Sequence, residues 1–139
     1  MKPDNSDSQL PDLDLLKGAL AAMPEIDAGF VYGSVLTPAF NAESDIDLAL
    51  LAARKFSAEE KLELVGRLTE AVKREVDLVM IDNSLSLVLQ DQIARRHRLI
   101  FCRNRRRTDT FLIKAPQMYF DLMYWREPME QAYIRRKMP

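Results

Sequence analysis

The sequence predicts an α/β fold, a mixed sheet of about four strands flanked by helices and followed by a C-terminal helical extension. Three observations carry this reading. Short apolar runs stand at residues 27–32, 45–52, 76–81 and 98–102, each of strand length and bounded by turn residues. Stretches of helical periodicity separate the second run from the third and the third from the fourth, which is the alternation of an α/β protein. The connection between the first two runs is short, which permits the chain to reverse, so the sheet is expected to be mixed rather than purely parallel.

The elements follow in order. Residues 1–10, with Pro3, Asn5, Ser6 and Ser8 among acids, are expected to be disordered. The α/β domain is placed at 11–104 and the helical extension at 105–139. Leu13 to Met23 reads as a helix with Leu15, Leu16, Ala19, Leu20 and Met23 on one face, ended by Pro24. Phe30-Val31-Tyr32 closes a first strand with apolar residues in succession, the pattern of a strand buried on both faces. Ser57-Ala-Glu-Glu60 is a capping box, so a helix starts after Phe56 and runs to about Arg74, with Leu62, Val65, Leu68, Ala71 and Val72 toward the core. A further helix spans Leu85 to about His97, with Leu85, Val88, Leu89 and Ile93 on its buried side, and Arg98 to Cys102 is a short edge strand. Thr108 to Lys137 reads as one or two amphipathic helices, in which Pro116 and Pro128 mark kinks or breaks.

Composition narrows the class. At 139 residues and 47% hydrophobic content the chain fits one globular domain with a real core. No apolar run is long enough to span a bilayer and no signal peptide is evident, so a cytoplasmic location is expected. The single cysteine, Cys102, excludes an internal disulfide and reads as a core residue. The net charge of −1 conceals an asymmetry: residues 1–50 carry nine acids against two bases, and residues 95–139 four against twelve. Arg95-Arg96-His97-Arg98 and the Arg103–Arg107 cluster could attract a nucleic acid, an acidic partner or a nucleotide's phosphates, or could simply be solvated. His97, in such a run, is assigned a surface or helix-end role rather than catalysis.

The polar residues that stand out are Gly33-Ser34 after the first strand, Asp45-Ile46-Asp47 opening the second, and Asp77 inside the third. If Asp45 and Asp47 open a strand, period-two alternation points both carboxylates to one face. Two like charges side by side cost repulsion unless a proton or a cation intervenes, and oxygen ligands of this kind suit Mg²⁺. Asp77 in an apolar strand needs the same compensation. Gly33 lets backbone approach a ligand closely, and Ser34 with the amides after it could donate to phosphate oxygens. It is not a Walker A loop, because no Gly-Lys-Ser/Thr follows.

Gly33-Ser34, ten residues, Asp45-x-Asp47 and the later Asp77 resemble the signature of the DNA polymerase β-type nucleotidyltransferases. The short chain is similar in particular to the MntA-type minimal nucleotidyltransferases, antitoxins of HEPN/MNT toxin–antitoxin pairs. The resemblance implies a nucleotidyltransferase fold, two Mg²⁺ ions held by Asp45 and Asp47 with Asp77 completing the metal site and helping to deprotonate the acceptor, and Gly33 and Ser34 holding the triphosphate of ATP. It also implies transfer of AMP to a tyrosine of a HEPN-family toxin partner. In one respect the chain departs from its relatives: Val35 to Phe40 contains neither the Arg nor the second Gly that often follows Gly-Ser.

Two other readings stand beside this one, an antitoxin that neutralises by occlusion alone and a nucleotidyltransferase acting on a small molecule. The latter needs an acceptor pocket for which no second domain is present. Tyr119, Tyr124, Trp125, Met129 and Tyr133 exceed what one helix face would bury, and such enrichment is typical of protein interfaces. A partner is therefore expected to dock on the extension, and neither a membrane nor a nucleic-acid substrate is expected.

Overall fold

The computed structural model describes residues 13–137, and the segment 1–10 read as disordered lies outside the described residues. Four strands, β1 (Ile26–Tyr32), β2 (Ile46–Ala52), β3 (Val76–Met80) and β4 (Arg98–Cys102), form one sheet in the order β3-β2-β1-β4. β1 pairs antiparallel with β2 and β4, whereas β2 pairs parallel with β3. The sheet is thus mixed, as the short reversal after Gly33-Ser34 requires, and β4 lies at an edge.

Two helices cover each face. α1 (Leu13–Ala21) and α2 (Ala58–Val72) bring Leu16, Leu20, Leu64 and Leu68 onto Ile26, Val31, Ile46, Leu48 and Leu50. On the other face α3 (Leu87–Arg95) and the first half of α4 (Arg105–Asp121) bring Ile93, Phe111 and Ala115 onto Ala28, Phe30, Ala49 and Leu51. Each fully buried Leu or Phe of these layers contributes roughly 1.5–3 kcal/mol. Both faces of β1 and β2 are therefore apolar, which is why their runs read as continuous rather than alternating.

The helix ends follow their caps. Ser57 Oγ accepts from Glu60 N at 3.1 Å and Glu60 Oε1 accepts from Ser57 N at 3.0 Å, so the capping box is formed. α3 begins at Leu87, two residues later than expected, because Ser86 caps it while Asp82 and Ser84 close the preceding turn. α4 begins at Arg105, three residues early, because Asn104 Oδ1 accepts from Arg107 N at 3.1 Å. Pro116 sits inside α4, and a π-helical turn over Leu122–Arg126 joins it to α5 (Glu127–Lys137). Pro128 cannot donate to the carbonyl one turn back, and the wider π turn accommodates that missing bond without ending the helical path.

Three side chains face otherwise than their spacing suggested. Leu62 is 74% exposed and Leu64 takes its place in the core. Leu15 and Val88 are likewise exposed, and in α3 the buried side is built from Gln90, Asp91 and Ile93. Gln90 is satisfied there by donating to Leu85 O at 2.8 Å. Each helix lies on the sheet along one side, so only one narrow stripe of it reaches the core.

The basic segment after β4 divides into structural and solvated parts. Arg103 donates to Ala21 O at 2.7 Å and Ile26 O at 3.0 Å, tying the end of α1 to the start of β1. Arg107 pairs with the buried carboxylate of Asp27 and donates to Ala52 O at 2.7 Å. His97 Nδ1 lies 2.9 Å from Ile93 O at the end of α3, and its ring packs edge-on against Phe30, the helix-end role assigned to it. Cys102 is half-buried at the edge strand rather than in the core, and its Sγ contacts Thr108 Oγ1 at 3.4 Å. Removing Arg107 leaves Asp27 buried without its countercharge. Arg107→Ala is expected to lower stability by about 2–3 kcal/mol in urea unfolding, whereas exposed Arg106→Ala changes it by less than about 0.5 kcal/mol.

Candidate active site

Strand register assembles the acidic residues. Tyr32, the last residue of β1, is paired with Asp47 of β2, and Asp47 is paired with Asp77 of β3. Paired residues of neighbouring strands project to the same face, so the phenol and two carboxylates form a row across three strands on the side covered by α3 and α4. Asp45 immediately precedes β2 and, two residues from Asp47, joins the same side. Asp77 is exposed on its edge strand, whereas Asp47 is partly buried.

The turn that bounds the row is the Gly-Ser. Gly33 opens a single 3₁₀ turn, Gly33–Leu36, with φ +73°. A Cβ at this position would fall on Asp47 Oδ2. Glycine is thus needed twice, for the left-handed backbone and for the close approach of the carboxylate. The Ser34 amide donates to the Asp47 carboxylate, and Thr37 donates to Ser34 O through both its amide and its hydroxyl at 2.9 Å. The Ser34 hydroxyl itself forms no hydrogen bond among the described residues.

Like charges meet at Asp47. Burial and then the Asp77 and Asp45 charges raise the Asp47 carboxyl above its ordinary value, against the Ser34 amide that lowers it. The Tyr32 hydroxyl is pushed up to about 12 by burial and by Asp47 and Asp77, so it stays protonated. None of the three carboxylates has an ion-pair partner among the described residues. The donors are all hard oxygens, which fits a divalent ion such as Mg²⁺. No group of three His, Cys, Asp or Glu among the described residues is assembled to hold an ion by itself. Phosphate oxygens and water would therefore have to supply part of the coordination.

Two residues that the sequence reading did not single out complete the site. Tyr32 was legible only as a strand residue, because its neighbour across the sheet is set by a register not visible in the chain. Arg74, at the end of α2, donates to Asn41 O at 2.8 Å and Ser44 O at 3.0 Å and stacks over Phe40 at 4.7 Å. It fixes the turn that delivers Asp45, and Ile46 N bonds to Glu75 O at 3.0 Å beside it. A cavity of about 380 Å³ adjoins the row and is lined by Tyr32, Gly33, Leu36, Thr37 and the end of α3 at Asp91, Gln92, Arg95 and Arg96.

A glycine-serine turn pressed against carboxylates on a mixed sheet is the layout of a nucleotidyltransferase. The chain belongs to the polymerase beta nucleotidyltransferase family, which matches residues 15–106. It is 28% identical over 119 residues to the protein adenylyltransferase MntA of Shewanella oneidensis, across 86% of this chain and 84% of that protein. It is also similar to a chain in the crystal structure of a toxin-antitoxin with AMP-PNP, with TM-score 0.73 and 26% identity over 92% of this chain and 99% of that one. The fold recurs in a tri-AMPylated S. oneidensis HEPN toxin in complex with an MNT antitoxin, with TM-score 0.67 and 24% identity over 96% of this chain and 99% of that one. No helix among the described residues is long and apolar enough to cross a membrane.

Three substitutions test this geometry, the last as a control away from the site. An Asp whose folded pKa is raised binds its proton more tightly in the folded state, so its cost is absent at low pH and grows as pH rises through the unfolded and then the folded pKa. Asp47→Asn is therefore expected to melt a few degrees higher than wild type at pH 7 in chelator, with the gap closing as pH falls through the carboxylate range. Gly33→Ala is expected to destabilise by about 1–3 kcal/mol. Gly18→Ala, in α1 with nothing near the added methyl, is expected to stabilise by about 0.5–1 kcal/mol.

Proposed function

We propose that this chain is a Mg²⁺-dependent protein adenylyltransferase that transfers AMP from ATP to a tyrosine of a HEPN-family toxin and thereby acts as its antitoxin. The observation that carries this reading is the row of Asp45, Asp47 and Asp77, held unpaired against the Gly33-Ser34 turn. Family membership supports the nucleotidyl transfer, and the similarity to MntA and to a toxin-antitoxin seen with AMP-PNP supports the nucleotide and the partner.

In the reaction, the acceptor's phenolic oxygen attacks the α-phosphorus of ATP, the bond from that phosphorus to the bridging oxygen of the β-phosphate breaks, and pyrophosphate leaves. Asp45 and Asp47, with Asp77, would hold two Mg²⁺ ions, which supply charge stabilisation to the attacking and leaving oxygens. Asp45 and Asp77 are both exposed, and Asp77, on the outermost strand, would take the proton of the acceptor hydroxyl. Gly33 brings backbone close to the phosphates, and the Ser34 hydroxyl, with no partner among the described residues, donates to them. Tyr32 keeps its proton and walls the row on the β1 side, limiting water beside Asp47.

The helical extension gives the partner a place to bind. Tyr124, Trp125, Met129 and Tyr133 are between 61% and 67% exposed, and Phe120 stacks on Tyr124 at 4.5 Å. A run of exposed aromatic and Met side chains along α4 and α5 has the composition of an interface core. The same face makes neutralisation by occlusion the second reading.

Intact-mass spectrometry of the co-expressed toxin separates them. Wild type is expected to add AMP to the toxin, and Asp45→Asn/Asp47→Asn is expected to add none and to lose protection; chelation of divalent ions during the reaction should likewise stop the mass change. Protection that survives with the toxin mass unchanged would establish occlusion instead.

A further inference from the structure

The sheet ends in β3 on one side and β4 on the other, and the two edges are not equivalent. β4 is flanked by exposed Arg98 and Arg103, and its ladder with β1 is broken by an irregularity between Gly29 and Phe30. β3 runs in unbroken register with β2, from Ile46 opposite Val76 to Leu50 opposite Met80, and no described strand pairs with its outer side. Val76-Asp77-Leu78-Val79-Met80 carries no Pro, Lys or bulge, devices that keep a sheet edge from pairing with another chain. Its one charge, Asp77, belongs to the carboxylate row.

The ladder fixes what this edge presents. Glu75 O accepts from Ile46 N at 3.0 Å, and Ile81 N donates to Leu50 O at 2.9 Å. Backbone groups of successive strand residues point to opposite sides, so residues 75, 77, 79 and 81 face β2, and Val76, Leu78 and Met80 direct their amides and carbonyls outward. A further strand bonded to those outward groups would lie about 4.8 Å from β3. The residue that it set opposite Asp77 would project to the same face as Asp77, as Tyr32 and Asp47 do on the inner strands. The next place in the row Tyr32, Asp47, Asp77 is therefore a side chain of that strand.

Charge restricts what can pair there. Asp45, Glu75 and Asp77 are exposed at this end of the sheet, whereas Lys73 is paired with Glu70 and Arg74 is committed to the carbonyls of Asn41 and Ser44. An acidic segment is repelled and a basic one attracted.

We infer that the outer edge of β3 docks the acceptor-bearing segment of the protein substrate, which joins the sheet as an extended, basic strand with its acceptor residue opposite Asp77. This rests on the protein-adenylylation reading and adds to it the means by which one hydroxyl among many is selected. Main-chain bonds to Val76, Leu78 and Met80 hold the segment, and register chooses the residue.

The test is residue-resolved amide hydrogen exchange on the full chain, alone and with the HEPN-family toxin, in Mg²⁺ and α,β-methylene ATP, whose bridge cannot be cleaved. Transfer of AMP from ATP is followed in parallel by intact mass. The toxin is expected to slow exchange at Leu78 and Met80 at least about tenfold, while Asp77 and Val79, already bonded to β2, change little. Leu78→Pro removes an outward amide and spares the β2 ladder. It is expected to keep wild-type affinity for AMP-PNP and to lower kcat/KM for toxin modification at least about tenfold; if its AMP-PNP affinity is lost, exchange in the wild type decides alone. Transfer of AMP with Leu78 and Met80 exchanging as in the free chain would overturn the inference and leave the transfer reading standing, as would toxin modification by Leu78→Pro at the wild-type rate. No transfer by the wild type would overturn both.

Discussion

Repulsion between carboxylates on adjacent strands is the constraint around which this molecule is built. Hydrogen-bond register sets Asp47 opposite Asp77, and the chain's own alternation adds Asp45. A fold assembled for stability alone would not set a partly buried carboxylate between two others, because the Asp77 and Asp45 charges raise the cost of ionising Asp47. The arrangement persists because the sheet around it is well paired and packed on both faces, so the local penalty is spread over a large apolar core.

The scaffold that holds the row in place is largely a matter of arginine side chains reaching backbone carbonyls. Arg74 fixes the turn before Asp45, Arg103 binds the end of α1 to β1, and Arg107 spans Asp27 and Ala52. Each satisfies carbonyls that no strand or helix could reach. Their planar, multidentate heads make one residue serve two or three acceptors, which lets a chain of this length position loops without additional secondary structure.

The parts of this architecture that local chemistry determines were legible in the chain. The Ser57–Glu60 capping box, the four strands and the reversal after Gly33-Ser34 follow from short-range rules, and β4 matches its expected span. Helix faces were harder: Leu62 and Leu64 are both apolar, and only the tilt of α2 on the sheet decides that the second is buried. Tyr32 and Arg74 escaped notice for a different reason. Their roles depend on partners about fifteen to thirty residues away, on a register in one case and a carbonyl turn in the other. The arginine clusters read as surface charge by composition, yet Arg103 and Arg107 are anchors and Arg96 is not, a division that only tertiary contacts can make.

One topological detail bears on what kind of acceptor such a centre can serve. β3 is the outermost strand on its side of the sheet, and Asp77 is exposed upon it. The carboxylate row therefore runs from a sheltered interior end toward an open flank instead of ending in a closed chamber. A side chain protruding from a bulky folded molecule can enter from that flank without a gate having to swing aside, so steric admission depends on the shape of the visiting surface more than on any aperture in this domain.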